Sequence, residues 1–325
     1  MTRRHLLVCA TAMLYAALLY PLPQVQAAEK IVVGAVGSPS TLYWPIYIGL
    51  QKGYFAAEDL TIDMIYPPSS AATIQQLAAN SINMTVGVGL VDPIRAIDKG
   101  APIGIVRVIV QAAPYVLVAK PAIKKITELK GKTISIGGPK DITRIYLDRM
   151  LMPNGIKDGE VEMVFAGSTA ARFAALQSGA IDATFLTAPF NFYATAAGFA
   201  DLGQTADYVQ DLPFMGAAVH RPWASANQAA VRKFLVAFGR AVVWFEDDRN
   251  RAEAIDIMIQ AGNMKPEDIE RSYEFFRKGN YFEPKSQVSK RQLGKLVDAL
   301  RELGDIQGPF DVNRLIASDV AEVVD

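Results

Sequence analysis

The residues best suited to bind a charged small molecule lie between Lys132 and Arg144, where the sequence reads KTISIGGPKDITR. The β-branched stretch Thr133 to Ile136 predicts a strand, the Gly-Gly-Pro that follows ends it, and Asp141 can cap the next helix. The first backbone N–H groups of a helix have no partner within the helix and carry partial positive charge, so they can hold an anion. Lys140 and Arg144 add cationic side chains at the same end. This segment therefore predicts half of a site for a small anion.

The composition is that of a globular protein with room for two domains. The chain has 325 residues, of which 51% are hydrophobic and 20% are charged. Its formal net charge is zero, and no run of Lys or Arg appears. Because nucleic acids and anionic membrane surfaces are bound through clustered cations, the sequence argues against both as partners.

Residues 1–27 have the pattern of a secretion signal. Arg3, Arg4 and His5 form a basic start, an apolar run extends from Leu6 to Leu22, and small residues precede a cleavage site predicted after Ala27. An uncleaved membrane anchor is the alternative, although the apolar run is short. The Arg-Arg pair leaves twin-arginine export open beside ordinary secretion. The sequence therefore predicts an exported, soluble protein.

The scarcity of cysteine and histidine limits the possible chemistry. Cys9 is the only cysteine, and it would be removed with the signal, as would His5. A thiol nucleophile and a His/Cys metal cage are then excluded, and a Ser-His-Asp triad would depend on His220. We expect no catalytic residue, no metal and no cofactor.

The rest of the chain alternates predicted strands with helices of about ten residues, which indicates an α/β fold with mostly parallel sheets. The predicted strands include Ile103 to Val110 and Ala183 to Leu186. The alternation restarts near Tyr115, and after Val219 the chain becomes helical, with the last helices predicted at Gln287 to Leu303 and Asn313 to Val324. Two segments 99 positions apart are alike: the one from Leu77 to Val86 matches the one from Leu176 to Phe185 in its sequence of residue types. Each combines a helix end, a turn and a strand, so the sequence favours two similar lobes.

Three blocks carry a resemblance to a known family. Lys52-Gly53-Tyr54-Phe55 resembles the KGYF block of periplasmic solute-binding proteins, in the branch that includes nitrate, taurine, alkanesulfonate and thiamine-precursor binders. Leu129 to Thr133 is similar to the segment that leads into the second lobe of that family, and Leu176 to Pro189 resembles its "aLxxGxIDA…P" block. The blocks follow one another in family order. One departure is Asn80 to Asn83, where the family commonly has G-x-x-D.

The resemblance implies a two-lobed periplasmic-binding-protein type II fold that closes like a hinge on its ligand. The first lobe would comprise residues 28–112 and be completed by residues 217–325, which include the C-terminal helices. The second lobe would comprise residues 113–216. Two hinge crossings would lie near Val110 to Tyr115 and near Val209 to Gly216.

Ligands of open parallel sheets bind beyond the carboxyl ends of the strands, and this rule selects the facing loops of both lobes. Arg144 is the predicted bidentate partner of a carboxylate or sulfonate, with a surface ion pair to Asp141 or Asp148 as the alternative. Tyr43 and Trp44 are predicted to stack on the ligand, with packing in the core as the alternative. The predicted ligand-binding residues are Ser40, Thr41, Tyr43, Trp44, Ser69, Ser70, Gly87, Gly89, Tyr115, Gly138, Lys140, Thr143, Arg144, Ser168, Thr169, Thr187 and Asn191.

The function that follows from the resemblance is capture of a small organic anion for an ABC importer. The ligand would be an aromatic carboxylate, a sulfonate or a thiamine precursor, and the partners would be a membrane permease and its ATPase. The protein would act as a monomer. Two alternatives remain at this point: a ligand sensor for a membrane receptor, and an enzyme resembling thiamine-pyrimidine synthase, which would need an active-site histidine.

Overall fold

The computed structural model describes residues 28–209, 212–285 and 287–325. The predicted secretion signal lies outside the described residues. None of the helices formed by the described residues combines the length and the apolar character needed to cross a bilayer.

The strands, in chain order, are β1 (Glu29–Ala35), β2 (Leu60–Ile65), β3 (Met84–Gly89), β4 (Ile103–Val110), β5 (Val116–Ala119), β6 (Thr133–Ile136), β7 (Glu162–Phe165), β8 (Ala183–Leu186), β9 (Ala200–Gln204), β10 (Met215–His220), β11 (Gln287–Ser289) and β12 (Glu322–Val324). The α-helices are α1 (Trp44–Gln51), α2 (Ser70–Ala78), α3 (Val91–Asp98), α4 (Ile142–Leu151), α5 (Thr169–Gln177), α6 (Phe190–Ala196), α7 (Arg221–Ala226), α8 (Gln228–Phe245), α9 (Arg251–Gly262), α10 (Pro266–Gly279) and α11 (Lys290–Glu302).

Two five-stranded sheets form the two lobes. The first has the order β2-β1-β3-β10-β4 and the second the order β7-β6-β8-β5-β9. In each sheet four strands run in one direction, and the fourth strand in the order, β10 or β5, runs against them. The prediction of a two-lobed α/β fold with mostly parallel sheets is confirmed. The chain crosses between the sheets after β4 and again before β10.

The two lobes repeat one local design at the sites where their sequences match. The Asn83 side chain accepts a hydrogen bond from the backbone N–H of Val32 at 2.9 Å, and the Asp182 side chain accepts one from Thr133 at 2.9 Å. Asn80 adopts φ +57°, and Gly179 adopts φ +76° in the equivalent turn. Because Asn tolerates the left-handed conformation better than other residues with a Cβ, the departure at Asn80 leaves the turn intact.

The C-terminal part holds two strands where the sequence suggests helix. Residues 287–303 read as one helix, but β11 occupies their start and pairs in parallel with β12, which falls in a stretch assigned to the helical tail. Val288, at the centre of β11, is fully buried, and Ser289 caps α11 by accepting from the backbone N–H of Gln292 at 3.1 Å. A three-residue strand that depends on a partner far along the chain has no periodicity of its own, so the helix prediction was wrong here.

Candidate functional site

A cleft lies between the two lobes, beyond the strand ends that the carboxyl-end rule selects. It encloses about 670 Å³ of empty space, part of it open to solvent. Eight of the predicted ligand-binding residues line it: Ser40, Tyr43, Ser70, Gly87, Gly89, Tyr115, Ser168 and Thr169. The structure therefore brings together predicted residues from both lobes on one surface.

The lobes touch around this cleft, which places the molecule in a closed arrangement. A methyl group added to Gly167 would lie 2.9 Å from the carbonyl oxygen of Pro68, and one added to Gly37 would lie 3.1 Å from Cβ of Ser168. The Thr41 hydroxyl donates to the Ala188 carbonyl at 2.6 Å, which links the first lobe directly to the second. The close approach explains why glycines occupy these loops.

One helix from each lobe starts at the cleft. Ser69 caps α2 by accepting from the N–H of Ala72 at 3.2 Å, and Ser168 caps α5 by accepting from the N–H of Ala171 at 3.2 Å. Ser70 and Thr169, the first residues of these helices, line the cleft. The positive ends of two helix dipoles therefore face the space between the lobes.

Arg172, which the sequence reasoning did not single out, lines the cleft and is only 1% exposed. Its guanidinium donates to the carbonyls of Phe185 at 3.0 Å and Ala166 at 3.1 Å, and to the Thr169 hydroxyl at 3.1 Å. Among the described residues no carboxylate lies within 4.0 Å of it. It is thus a buried cation that forms no direct ion pair with a carboxylate of the described residues, although Asp141 lines the same cleft.

The sequence held a signal for Arg172. In α5, Arg172 directly precedes Phe173 and lies four residues before Leu176. All three side chains are buried, so Arg172 lies on the apolar face of the helix. Arginine is almost never fully buried unless it is paired, so its presence on an apolar stripe points to a partner. The residue is distant in sequence from the Lys132 to Arg144 segment, which contains the cations predicted to bind the ligand.

Aromatic rings enclose the space next to Arg172. The Tyr115 ring lies 5.6 Å from the Arg172 guanidinium and packs edge-on against Phe214 with a centroid distance of 5.2 Å. Burial raises the pKa of Tyr115 to about 12, although Arg172 works against the shift. Burial also raises the pKa of Tyr43, whose hydroxyl donates to the Val36 carbonyl at 2.9 Å. Both phenols are neutral near pH 7, and the walls they form are mostly apolar.

Two carboxyl groups lie at one side of the cleft. Asp141 lines it and caps α4, where it accepts from both the N–H of Thr143 at 2.9 Å and the Thr143 hydroxyl at 2.6 Å. Asp92, at the start of α3 in the first lobe, has its pKa raised to about 7 by burial and then by the charge of Asp141, against the opposing effects of Ser70 and Arg95. Closure therefore brings acidic groups of the two lobes near each other.

The structure places Arg144 outside the cleft. Its Nε donates to Asp148 at 2.8 Å and its guanidinium donates to Asp158 at 2.7 Å, so it forms the kind of surface ion pair that was the alternative. Lys140 pairs with Asp305 at 2.9 Å and is 63% exposed. The anion contact expected from Arg144 would require it to leave both carboxylates.

Trp44 also lies away from the cleft, because it is fully buried in the core of the first lobe. Its indole N–H donates to the Ala254 carbonyl at 2.8 Å, and its ring packs on Phe245 with a centroid distance of 5.2 Å. Trp44 therefore packs in the core of the first lobe, which was the alternative to stacking on the ligand.

The remaining predicted residues surround the cleft without lining it. Ser69 caps α2, Thr143 is bound to Asp141, and Gly138 adjoins the same loop. Thr187 donates to Thr169 at a long 3.4 Å, and the side-chain oxygen Oδ1 of the buried Asn191 has no hydrogen-bond partner among the described residues. These positions support the loops that form the cleft.

The arrangement contains little that would support catalysis. His220 ends β10, where its ring nitrogen accepts a 3.4 Å hydrogen bond from the N–H of Trp223, and it does not line the cleft. Within the part of the chain that the structure describes, no group of three or more His, Cys, Asp or Glu is placed to hold a metal ion. The described residues of the cleft are arranged to hold a molecule between two lobes.

Comparisons with known proteins agree with this geometry. Residues 40–252 match the family described as "NMT1/THI5 like". The Bacillus subtilis (strain 168) protein YtlA is 22% identical over 93% of this chain and 91% of its own. The alkanesulfonate-binding protein SsuA from Xanthomonas axonopodis pv. citri superposes with a TM-score of 0.73 at 18% identity, covering 92% of this chain and 100% of its own. The periplasmic nitrate-binding protein NrtA from Synechocystis PCC 6803 has a TM-score of 0.75 at 15% identity, covering 90% and 87%.

Proposed function

The chain belongs to the NMT1/THI5-like family, and from this we propose that it is the solute-binding component of an ABC importer. In this proposal it captures a small organic acid between its lobes and presents the closed form to a membrane permease. The similar solved structures include an alkanesulfonate binder and a nitrate binder, so acidic ligands are known on this fold. The proposal treats the protein as a binder and assigns it no reaction.

The observation that carries the proposal is the buried charge of Arg172, which forms no ion pair with the described residues. Burying an ion costs several kcal/mol unless an opposite charge or hydrogen bonds compensate it. Two backbone carbonyls and the Thr169 hydroxyl accept hydrogen bonds from the Arg172 guanidinium, and the Tyr115 oxygen lies within its reach, but no carboxylate of the described residues pairs with it. An anionic ligand would supply the missing charge and accept short, charge-assisted hydrogen bonds.

The surroundings of Arg172 favour an organic acid over a bare inorganic ion. Tyr43, Tyr115, Phe190 and Phe214 line the cleft together with Leu42. These side chains offer apolar contact area to a carbon skeleton, while the two helix starts and Arg172 bind the acidic group. Affinity would then come from one charged contact and from burial of the ligand body.

The cellular setting completes the proposal. From the N-terminal signal pattern we propose that the mature protein acts in the periplasm, as a monomer. The permease and ATPase of an importer in the inner membrane would be its partners. Hinge motion at the two crossings would couple ligand capture to recognition of the closed form.

A thermal-shift screen of residues 28–325 against sulfonates and aromatic or aliphatic carboxylates tests the proposal. A ligand present at about 100 times its dissociation constant stabilises the protein by roughly 2.7 kcal/mol. We expect Arg172→Gln to abolish the shift and Arg172→Lys to retain part of it, because lysine keeps the charge but lacks the planar fork.

Arg144→Gln is the matched control, since it removes an arginine of the same lobe that faces away from the cleft. It should leave the ligand-induced shift unchanged. A hit whose shift is lost in Arg144→Gln and kept in Arg172→Gln, with both variants folded, would contradict the proposal.

A further inference from the structure

The loop that leads into α4 is held by the other lobe at two points. Lys140 belongs to this loop of the second lobe. Its ammonium lies 2.9 Å from Oδ1 of Asp305, and its backbone carbonyl accepts a hydrogen bond from the Arg95 guanidinium. Arg95 lies on α3, and Asp305 follows α11, which packs beside α3 in the first lobe. One residue of the second lobe therefore contacts both members of an ion pair of the first.

The ion pair that receives Lys140 forms within the first lobe. Nε and one terminal nitrogen of Arg95 donate to Oδ2 of Asp305, at 2.9 and 2.6 Å. Both side chains are only 11% exposed, so salt screens this pair less than it would a fully exposed one. Because Arg95 binds Oδ2, the other oxygen of Asp305 can face the second lobe, where the Lys140 ammonium meets it. The first lobe thus presents an ordered acceptor for a cation of the second.

The charges of the first lobe favour the same contact. Arg95 also serves a second carboxyl group, because Asp92 lies 3.6 Å from its guanidinium. One cation of the first lobe therefore faces two acidic groups. Burial alone would raise the pKa of Asp305, but hydrogen bonds from Lys140 and Arg95 hold that pKa below its usual value. Lys140 thus adds the cation that this cluster needs when the lobes meet.

The far end of α4 makes a second charged contact with the same part of the first lobe. Arg149, in the last turn of α4, donates to Glu302 at the end of α11 at 2.6 Å. The two side chains are 46% and 63% exposed, so we expect this pair to contribute less than the one at Asp305. The end of α11 therefore contacts α4 or its leading loop at two places. These contacts join protein atoms and act in the same way whether the cleft is filled or empty.

The position of Lys140 differs from the one that its predicted role requires. Lys140 was predicted to bind the ligand, but it is not among the residues that line the cleft. Its ammonium is directed to Asp305, on the first lobe. The charge of Lys140 therefore acts between the lobes and not on the contents of the cleft.

We infer that Lys140 is an interlobe clasp: its ammonium and its carbonyl bind the Arg95–Asp305 pair and keep part of the ligand-free protein closed. This inference uses the hinge closure of the proposed function and is independent of the ligand class. A clasp raises the population of the closed form, so it strengthens every ligand of that form by the same factor. A lysine that touched the ligand would instead favour the ligands that it contacts.

Single-molecule energy transfer between dyes on the two lobes measures the closed fraction. The dyes are attached to Ala79→Cys and Ser178→Cys, exposed positions at the ends of α2 and α5, in residues 28–325 that have been unfolded and refolded to remove bound solutes. In about 0.01 M salt, where the Debye length is about 30 Å, we expect an open and a closed population. Lys140→Gln should lower the ratio of closed to open molecules about two- to fivefold, as expected for one partly exposed ion pair.

Salt provides a second test of the same contact. At about 1 M salt the Debye length falls to about 3 Å, so exposed charges interact weakly. We expect the added salt to lower the ratio of closed to open molecules in the unchanged protein and to have a smaller effect in Lys140→Gln.

Three further variants assign the effect to the clasp. Lys140→Arg keeps the cation and should retain most of the closed population. In an Asp305→Asn background, Lys140→Gln should have little further effect, because the partner of its ammonium is already neutral. Arg144→Gln is the matched control: it removes a cation of α4 whose acidic partners, Asp148 and Asp158, lie in the same lobe. It should leave the ratio of closed to open molecules unchanged.

The outcomes separate this inference from the proposed function. The inference is overturned if the ligand-free protein has no closed population at low salt, or if Lys140→Gln changes the ratio no more than Arg144→Gln does. It is also overturned if the effects of Lys140→Gln and Asp305→Asn simply add. Each of these results leaves the proposed function standing, because that function depends on a ligand and on Arg172. Binding of acids that is indifferent to Arg172 would contradict the proposed function and leave the clasp intact.

Discussion

The two lobes have the same strand order and differ where their helices meet the cleft. Helices α2 and α5 occupy equivalent places, and serines cap both of them in the same way. Three residues into each helix the lobes diverge: the first lobe has Thr73, whose hydroxyl donates to the Ser69 carbonyl at 2.9 Å, and the second has Arg172. Both side chains are buried, but only one of them is charged.

The difference between Thr73 and Arg172 suggests that the two similar lobes contribute differently to ligand binding. The second lobe holds the buried cation Arg172 beside Tyr115, and therefore most of the charge recognition that we propose. The first lobe contributes hydroxyls, glycines and Tyr43, which together form a closely fitting cover. We expect a ligand to bind the second lobe first and the first lobe to close over it.

Removing Trp44 should damage the first lobe most. We expect Trp44→Ala to lower the free energy of unfolding by about 3–5 kcal/mol, because the deleted ring is fully buried among aromatic neighbours. Denaturant titration measures the change. Trp244→Ala, which removes a half-buried ring near Lys52, serves as the control and should cost much less. If Trp44→Ala changed the free energy of unfolding only slightly but abolished ligand binding, Trp44 would be a ligand-binding residue after all.

The close fit of the first lobe can be broken at Gly87. A methyl group there would lie 2.2 Å from Cε1 of Tyr43, so we expect Gly87→Ala to cost about 1–3 kcal/mol and to weaken ligand binding by displacing the ring. The second lobe has Leu186 at the matching position. Gly138→Ala is the control, since its methyl group would meet Asp141 Cβ at an ordinary 3.7 Å. If Gly87→Ala and Gly138→Ala had equal stability and equal ligand affinity, the close packing of Gly87 against Tyr43 would not matter for either property.

Acid should weaken the second lobe through a residue that the first lobe lacks. A hydrogen bond from Lys120 lowers the pKa of Asp182, so its contribution to stability is full above its unfolded pKa and is lost as pH falls through its folded pKa. Asn83, its counterpart, does not titrate. Asp182→Asn should therefore reduce the loss of unfolding free energy that accompanies acidification, by no more than about 1 kcal/mol. If the variant lost as much unfolding free energy on acidification as the unchanged protein, titration of Asp182 would not distinguish the two lobes.

The sequence predicted the elements whose signals are local. β4, β6 and β8 fall where apolar, β-branched runs are bounded by turn residues, and their ends agree with the prediction to the residue. β11 and β12 were missed because each depends on the other across a long separation. The resemblance and the repeated segment together indicated both lobes, since the residues that define a helix–turn–strand unit are adjacent in the chain.

The site was harder to predict because burial depends on residues that are distant in sequence. The carboxyl-end rule selected Ser70 and Thr169, and the structure places both on the cleft surface, because the ends of parallel strands determine where loops gather. Which of the two arginines faces the cleft depends on how α4 and α5 pack against the second sheet. Arg144 and Arg172 both lie in the first turn of a helix. Only the folded chain shows that Arg144 pairs with the exposed Asp158 and that Arg172 is buried at the cleft.

The central claim is that an acidic ligand closes the two lobes through Arg172, and a distance between the lobes tests it most directly. Residues 28–325 contain no cysteine, so spin labels can be placed there selectively at Ala79→Cys and Ser178→Cys, which are exposed and equivalent in the two lobes. Pulsed dipolar spectroscopy then reports the label separation with and without the best acid from the screen. We predict that the acid shortens the separation in the otherwise unchanged protein and leaves it unaltered in Arg172→Gln. An equal shortening in Arg172→Gln, or no shortening in either protein, would contradict the account.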